Sequence, residues 1–200
     1  MNAPPQPRRN LRALWWVLGT CTAIVVVAVL VAAIWLSNAL DPPQEAPMQP
    51  DQIAALKDEL RAKGSAEDAL ARYEQQIAQT ADQITQLVPG LSWKWNSAST
   101  TITCGGELKD TGGVQVLTRH AYFDGPIPDA AWTSALSLVR DTASALGATD
   151  MSVFTDRPGE HDVEIIGQNG TQVRFGTRVG ATLSARSDCY LRNDDLQAPS

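Results

Sequence analysis

The sequence predicts an α+β protein, in which an N-terminal transmembrane helix is followed by helices packed on an antiparallel β-sheet. Three observations predict this class: an uncharged apolar run over 13–36, apolar residues at helical spacing over 51–88, and alternating apolar and polar residues in most segments from 91 to 190. A chain of 200 residues has room for one such domain and its extensions.

The apolar run predicts a membrane anchor. As a helix, its 24 residues would be roughly 36 Å long, which is enough to cross a bilayer core of about 30 Å. Trp15 and Trp16 lie near one end and Trp35 near the other, and indole rings favour the headgroup layer. We therefore expect residues 13–36 to be embedded in the lipid bilayer.

Basic residues predict the orientation of this anchor. Arg8, Arg9 and Arg12 precede the apolar run, and no basic residue follows it closely. Because positive residues are retained on the cytoplasmic side, residues 1–12 are predicted to be a cytoplasmic tail. The chain would then cross the plasma membrane once, with its C-terminal domain on the extracytoplasmic side.

Two other interpretations of the N-terminus stay open. Ser37-Asn38-Ala39 has the small-x-small form of a signal peptidase site, although the apolar run exceeds an h-region of about 7–15 residues. Leu18-Gly19-Thr20-Cys21 is close to a lipobox and would place a lipid on Cys21, although Thr20 is larger than the usual residue. Each interpretation exports the same domain.

One folded domain is predicted beyond the anchor. Residues 37–50 contain four prolines, which favours an extended Pro-rich linker. Residues 193–200 are polar and are predicted to form a flexible tail. The extracytoplasmic domain is therefore predicted over 51–192.

The charge of this domain argues against nucleic-acid binding. The chain has 16 Lys and Arg against 22 Asp and Glu, and three of the arginines precede Asp41. Residues 41–200 therefore hold 13 basic and 22 acidic side chains, a net charge of −9. A nucleic-acid-binding surface needs a basic patch, because binding is driven by counterion release.

Two helices are predicted to begin the domain. The first carries apolar residues at helical spacing and ends before Gly64. The second is predicted over 65–88, with Ser65 as its N-cap and Pro89-Gly90 after its end. Its apolar stripe consists of Leu70, Tyr73, Ile77, Ile84 and Leu87. We expect this stripe to pack on the domain, and self-association through the 65–88 helix is the alternative.

Strands and a third helix are predicted to follow. Alternation places Leu91, Trp93 and Trp95 on one strand face, whereas the segment 114–123 is apolar on both faces and its orientation stays open. The third helix is predicted to begin near Asp129, as N-cap, and to end before Gly147. Four further strands are predicted near 150–156, 161–167, 171–177 and 180–190.

The hairpin around Asn169-Gly170 has one register that satisfies both pattern and charge. A three-residue loop, Gln168 to Gly170, pairs Val163 with Phe175 and Ile165 with Val173. Glu164 then faces Arg174 on the other side of the sheet. Gly170 would occupy the left-handed position of a G1 bulge.

Cys104 and Cys189 are predicted to form a disulfide. They are the two cysteines beyond the predicted membrane span, and an exported domain folds in an oxidising compartment. Alternation groups Cys104 with Ile102 and Cys189 with Leu183, so both side chains are expected to point inward. Two free buried thiols are the alternative.

Catalytic and metal-binding motifs are missing from the sequence. His161 is adjacent to Asp162, so the two side chains point to opposite faces of a strand, and His120 follows Thr118 on an unassigned face. Neither a nucleophile elbow nor a zinc-protease motif is present. We therefore expect a binding module without catalysis, metal or cofactor.

Trp93, Lys94 and Trp95 are the candidate ligand face. Two indoles on one side of a strand could stack on a sugar or an aromatic ligand. Packing of both rings in the core is the alternative, and it is the commoner arrangement for large aromatic side chains.

The domain also resembles the LppA-like family of mycobacterial lipoproteins, from about Leu60 to Leu191. Short motifs carry the resemblance: Lys63-Gly64-Ser65, Pro89-Gly90, Trp93-Lys94, Gly147-Ala148-Thr149, Asp162-Val163 and Asp188-Cys189-Tyr190. The resemblance implies an actinobacterial envelope protein with an α+β outer domain, and it provides no catalytic residues to carry over. The departure from a lipobox near Cys21 favours a protein anchor.

These observations predict an anchored protein of the cell envelope that binds an unknown envelope protein or ligand. Two alternatives stay open. One is an enzyme that acts on envelope glycans or lipids and uses His120 or His161 with a nearby carboxylate. The other is a structural or assembly protein that uses the 65–88 helix.

Overall fold

The computed structural model describes Val29, Val31 and residues 48–197. The predicted cytoplasmic tail, nearly all of the predicted span 13–36 and the predicted linker up to residue 47 lie outside the described residues. In the part of the chain that is described, no helix combines the length and the apolar character needed to cross a membrane.

Helices open the described domain, and strands form most of the remainder. The helices are α1 (Pro50–Ala62), α2 (Ala66–Leu87), α3 (Asp129–Ala145) and the short α4 (Asn193–Gln197), with a 3₁₀ turn at Gly106–Leu108. The strands are β1 (Trp93–Asn96), β2 (Thr100–Thr103), β3 (Val114–Leu117), β4 (His120–Phe123), β5 (Asp150–Arg157), β6 (Glu160–Ile166), β7 (Gln172–Thr177) and β8 (Ala181–Tyr190).

The strands form one antiparallel sheet in the order β1-β4-β8-β7-β6-β5. The long strand β8 pairs with β4 through its first half and with β3 through its second half, and β2 pairs with β3. Helices α2 and α3 pack against each other and on one face of this sheet. The predicted α+β class, with helices on an antiparallel sheet, is confirmed for this domain.

The main core lies between these two helices and the sheet. It contains aromatic and aliphatic side chains of α2, α3 and the central strands, all almost completely buried. Its members include Tyr73, Ile77 and Ile84 of α2, Trp132 and Val139 of α3, and Phe123, Val163, Ile165, Val173, Phe175 and Leu183 of the sheet. We call the sheet face that carries them the inner face.

Two helix ends follow the predicted signals, and two differ from the prediction. The Ser65 hydroxyl accepts a hydrogen bond from the Asp68 amide at 3.0 Å, and Gly147 follows α3 with a φ of +89°. Pro50, which is predicted to lie in the linker, instead begins α1, where its missing N–H costs nothing. The prediction of Asp129 as an N-cap is wrong: Pro128 is the N-cap, because the Asp129 carboxylate is taken by partners outside the helix.

The segment 114–123 is two strands rather than one. β3 and β4 pair with different halves of β8, and Thr118 and Arg119 connect them. The tail also differs from its prediction, since residues 193–197 form α4. Leu196 packs on an apolar cluster and the Asn193 amide donates to Glu67 at 3.0 Å, which orders this segment despite its polar composition.

The hairpin between β6 and β7 has the predicted register. Val163 pairs with Phe175, Glu164 with Arg174 and Ile165 with Val173, and Gly170 has a φ of +88°. The guanidinium of Arg174 reaches Asp162, however, and donates to Oδ1 at 3.2 Å and Oδ2 at 2.7 Å. The ion pair is therefore diagonal, although the backbone pairing is as predicted.

Candidate functional site

The face of the sheet opposite the helices, which we call the outer face, is polar. Three rows of side chains cross it, and their order follows from the strand pairing. The rows are Asp162-Gly176-Thr182-Tyr122-Lys94, Glu164-Arg174-Ser184, and Gln172-Arg186-Leu117. Because successive residues of a strand point to opposite faces, the same strands that build the core also build this surface.

A groove runs across the middle of the outer face. Its floor consists of small residues on the two central strands, Gly176 of β7 with Thr182 and Ser184 of β8. Two adjoining hollows of about 470 and 130 Å³ share His120 and Arg174, which lie on opposite sides of Ser184. The groove therefore results from short side chains between longer ones, without any break in the sheet.

Arg174 lines both hollows of the groove, and Phe154 packs beside it on the edge strand. Phe154 lies at a β-bulge of the edge strand, is 57 % exposed, and has its ring 5.3 Å from the Arg174 guanidinium carbon. Hydrogen bonding to Asp162 raises the pKa of Arg174 further above its usual range, so this side chain is cationic at every physiological pH. A paired guanidinium thus lies between the groove and the exposed ring of the edge strand.

Arg186 lies at one end of the groove, between Gln172 and Leu117 in the third row. Its Nε is buried and has no hydrogen-bond partner, and no ion pair joins its guanidinium to another described residue. Arginine stays protonated in proteins. Arg186 is therefore a cation that the described part of the chain leaves uncompensated.

Trp93 and Trp95 lie on the inner face, at the edge of the main core. Their rings meet edge to face with centroids 5.1 Å apart, and Trp93 Nε1 donates to the Asp82 carboxylate at 2.7 Å. The Arg119 guanidinium covers the Trp95 ring at 4.5 Å. The exposed Lys94 belongs to the outer face. The structure thus brings the two indoles together and separates Lys94 from them.

His161 is buried on the inner face. Its ring stacks on Trp132 at 4.5 Å, while Nδ1 lies 2.8 Å from Asp156 and Nε2 lies 3.1 Å from Asp129. A hydrogen bond from the Gly159 amide, and then the His161 contact, lower the pKa of the Asp129 carboxyl. Both imidazole nitrogens are thus engaged, which favours a role in joining α3 to the β5–β6 hairpin.

His120 is exposed and lines the groove. Among the described residues, no hydroxyl hydrogen-bonds to either histidine, and no carboxylate contacts His120. Within the same residues, no group of three His, Cys, Asp or Glu side chains is arranged to hold a metal ion. The nucleophile–base geometry of hydrolases is not present in this part of the chain.

The first and last motifs of the family resemblance meet in space. Lys63 forms an ion pair with Asp188 and lies 4.9 Å from the centre of the Tyr190 ring. Arg72 donates to the Tyr190 hydroxyl at 2.8 Å, and burial raises the pKa of Tyr190 to about 12. The Ala66 amide donates to the Leu191 carbonyl at 2.8 Å. This cluster joins the beginning of α2 to the end of β8.

The predicted disulfide between Cys104 and Cys189 is present, with Cα atoms 6.0 Å apart. Both cysteines are buried, but they pack with Leu60 and Leu191 in a satellite cluster, not with Leu183 in the main core. The prediction that both side chains point inward is confirmed, whereas the grouping of Cys189 with Leu183 is wrong, because the pairing of β8 with β3 shifts register between Leu117 and Gln115.

Comparisons with known proteins place the chain in a family. A family described as "Lipoprotein confined to pathogenic Mycobacterium" matches residues 41–193. The chain belongs to the LppA family. Two relatives from Mycobacterium tuberculosis, named lipoprotein LppB and lipoprotein LppA, are 24 % and 25 % identical to it. Each alignment covers 98 % of this chain, together with 90 % of LppB and 91 % of LppA.

The fold of the family is the same in a solved structure. A crystal structure of LppA from Mycobacterium tuberculosis matches with a TM-score of 0.66 and 23 % identity. The match covers 74 % of this chain and 90 % of the LppA chain. The resemblance to the LppA family that the short motifs predict is therefore confirmed.

The groove is the feature that sequence reasoning missed. Alternation alone assigns Thr182, Ser184 and Arg186 to one side of β8. Which residues stand beside them depends on pairing between strands that are up to 69 residues apart, as between Arg186 and Leu117. A run of small residues at every second position of a central strand is the one local signal.

Proposed function

We propose that this chain is a membrane-anchored, extracytoplasmic protein of the actinobacterial envelope whose domain binds a ligand or partner and does not catalyse a reaction. The observation that carries the binding role is the groove on the outer face. Helices cover the inner face, whereas the outer face exposes a polar, partly cationic surface. Such convergence of polar side chains in a hollow is typical of ligand sites.

The anchoring part of the proposal is supported by sequence. The uncharged run 13–36 has the length of a membrane span, and Arg8, Arg9 and Arg12 precede it. Relatives that bear the name lipoprotein support attachment to the envelope by some means. The Cys104–Cys189 disulfide is typical of domains that fold in an oxidising compartment.

The alternatives receive less support. The buried positions of Tyr73 and Ile77, both at most 2 % exposed, leave the 65–88 helix without the apolar stripe that self-association would need. An enzyme that acts on glycans or lipids would need a base held beside a nucleophile or a carboxylate, and exposed His120 has neither contact among the described residues.

Protease treatment of intact cells tests the topology. We expect an added protease to remove a C-terminal epitope from the full-length chain while it spares a cytosolic control protein. Survival of the epitope on intact cells, with loss only after permeabilisation, would overturn the extracytoplasmic assignment.

A Cys21→Ser variant separates the two kinds of anchor. A protein anchor predicts that this variant stays in the membrane fraction through an alkaline wash, as the wild type does. Release of the variant alone would instead identify Cys21 as the site of a lipid anchor and would contradict the transmembrane assignment.

A further inference from the structure

The uncompensated charge of Arg186 is the feature of the outer face that its own fold does not explain. A guanidinium offers five N–H donors, and natural structures leave few buried donors unused. Here the buried Nε has no partner, and the pairing across the sheet supplies only Gln172 and Leu117 as direct neighbours. The side chain as a whole is half-buried, so a ligand that provides acceptors reaches the terminal N–H groups of this guanidinium and not its buried Nε.

The neighbouring arginine differs in this respect. Arg174 already makes a two-pronged contact with Asp162, and both oxygens of that carboxylate accept from it. Its charge is therefore neutralised within the fold, and it serves as wall and support for Phe154. Arg178, which also lines the groove, lies 3.9 Å from the Glu160 carboxylate, so Arg186 is the groove guanidinium without an acidic partner among the described residues.

The rest of the groove indicates what carries that anion. Its floor presents the hydroxyls of Thr182 and Ser184, and Gly176 leaves the backbone open to close approach. The exposed Phe154 ring packs on Arg174, next in the chain to Thr155, which lines the larger hollow. A shallow, hydroxyl-lined hollow beside an aromatic ring matches a ligand that has many hydroxyls and flat apolar faces, namely a saccharide.

We infer that the groove on the outer face binds an acidic saccharide and that Arg186 binds its carboxylate or phosphate group. The fork of a guanidinium matches either group with two parallel hydrogen bonds. Thr182 and Ser184 bind sugar hydroxyls on the floor, and the Phe154 ring contacts a sugar unit that extends past Arg174. This inference rests on the proposed binding function and names the ligand class of that same groove.

Calorimetric titration of the full-length chain in a non-ionic detergent at low salt tests the inference. The probes are trigalacturonate for the carboxylate, glucose 6-phosphate for the phosphate and maltotriose as the neutral control. We expect one acidic probe to bind and maltotriose to bind at least about tenfold more weakly, since hydrogen bonds to charged groups are the strong ones. The acidic probe that binds identifies the source of the anion.

Two matched variants identify the residue. Arg186→Gln should weaken binding of the acidic probe about tenfold or more, while the melting temperature stays equal to or above that of the wild type. Arg140→Gln removes the same charge from α3, which lies on the other side of the sheet, and should leave binding unchanged. A purely structural arginine would lower the melting temperature when replaced.

Three results would overturn the inference: equal binding of neutral and acidic probes, binding that Arg186→Gln leaves intact, or no binding of either acidic probe at tens of millimolar. None of these results bears on the protease experiment with intact cells. The extracytoplasmic assignment therefore stands or falls separately from the ligand.

Discussion

The two faces of the sheet are built by the same strands and yet serve different purposes. On the inner face, Val173, Phe175 and Leu183 are completely buried beneath α2 and α3. On the outer face, the residues between them are Arg174, Thr182 and Ser184, which are short or charged and reach solvent. Stability is therefore concentrated on one side of each strand, and the other side is left exposed to solvent.

Replacement of a large inner residue should have the greatest effect on stability. Phe175 is 0 % exposed and stacks on Trp132 with centroids 4.8 Å apart. We expect Phe175→Ala to lower the free energy of unfolding by about 3–5 kcal/mol, because it leaves a cavity and loses buried apolar area. Denaturant unfolding followed by tryptophan fluorescence measures the change.

The matched variant on the outer face is Thr182→Ala, one residue from the strand position that pairs with Phe175. It should change the free energy of unfolding by less than about 0.5 kcal/mol, since the side chain is exposed. Equal losses for Phe175→Ala and Thr182→Ala would break the distinction between the two faces.

Removal of the disulfide should have the next largest effect. The free energy of unfolding of the double variant Cys104→Ala/Cys189→Ala should be lower by about 2–5 kcal/mol. The reason is that the unfolded chain is no longer constrained by a crosslink between residues that are 85 positions apart. Thermal unfolding measures the difference. A reductant should lower the melting temperature of the wild type and leave that of the double variant unchanged. An unchanged melting temperature of the wild type in reductant would contradict the prediction.

A smaller and pH-dependent effect is expected for the ion pair between α2 and the sheet. Arg119 donates to both oxygens of Glu74, at 3.0 and 2.8 Å, and this hydrogen bonding lowers the pKa of Glu74 below its ordinary value of 4.5. Because the folded pKa lies below the unfolded one, the pair stabilises the fold above about pH 4.5. That contribution is lost as the pH falls through the folded pKa.

Urea unfolding of the wild type and Glu74→Gln at two pH values tests this sign. At pH 7 the variant should be less stable by about 1 kcal/mol, because the pair is partly exposed. The difference should be smaller at pH 3 than at pH 7, because the contribution of Glu74 falls as the pH drops below the unfolded pKa towards the lowered folded one. A difference that grows on acidification would contradict the assignment.

The smallest effect is expected on the outer face itself. A double-mutant cycle on Arg174→Ala and Asp162→Ala should give a coupling of about 0.5 kcal/mol, as is usual for exposed ion pairs. The same cycle with Glu164→Ala in place of Asp162→Ala should give a weaker coupling, because the guanidinium reaches Asp162 and not Glu164. Thermal unfolding at low salt resolves the two cycles.

Local signals were sufficient for most of the fold. The N-cap at Ser65, the stop at Gly147 and the register of the β6–β7 hairpin depend on residues close in sequence, and each is confirmed. The sequence also predicted the disulfide, since Cys104 and Cys189 leave few pairing choices in an exported domain.

Long-range contacts account for what could not be predicted. Asp129 has the right chemistry for an N-cap, but the amide of Gly159, 30 residues away, takes its carboxylate. Strict alternation along β8 would place Cys189 in the main core. The register of β8 shifts where it pairs with β3, and Cys189 therefore packs in the satellite cluster. The lack of an ion-pair partner for Arg186 could not be predicted from the sequence for the same reason, because it depends on the positions of all neighbouring side chains.

The disulfide also affects how the domain would respond to cleavage. It closes a covalent ring from Cys104 to Cys189 that contains six of the eight described strands and α3. A single cut at an exposed turn inside the ring, such as the one at Gly159, would open a loop without releasing a fragment. A protease would therefore have to cut the ring twice before any part of it could diffuse away.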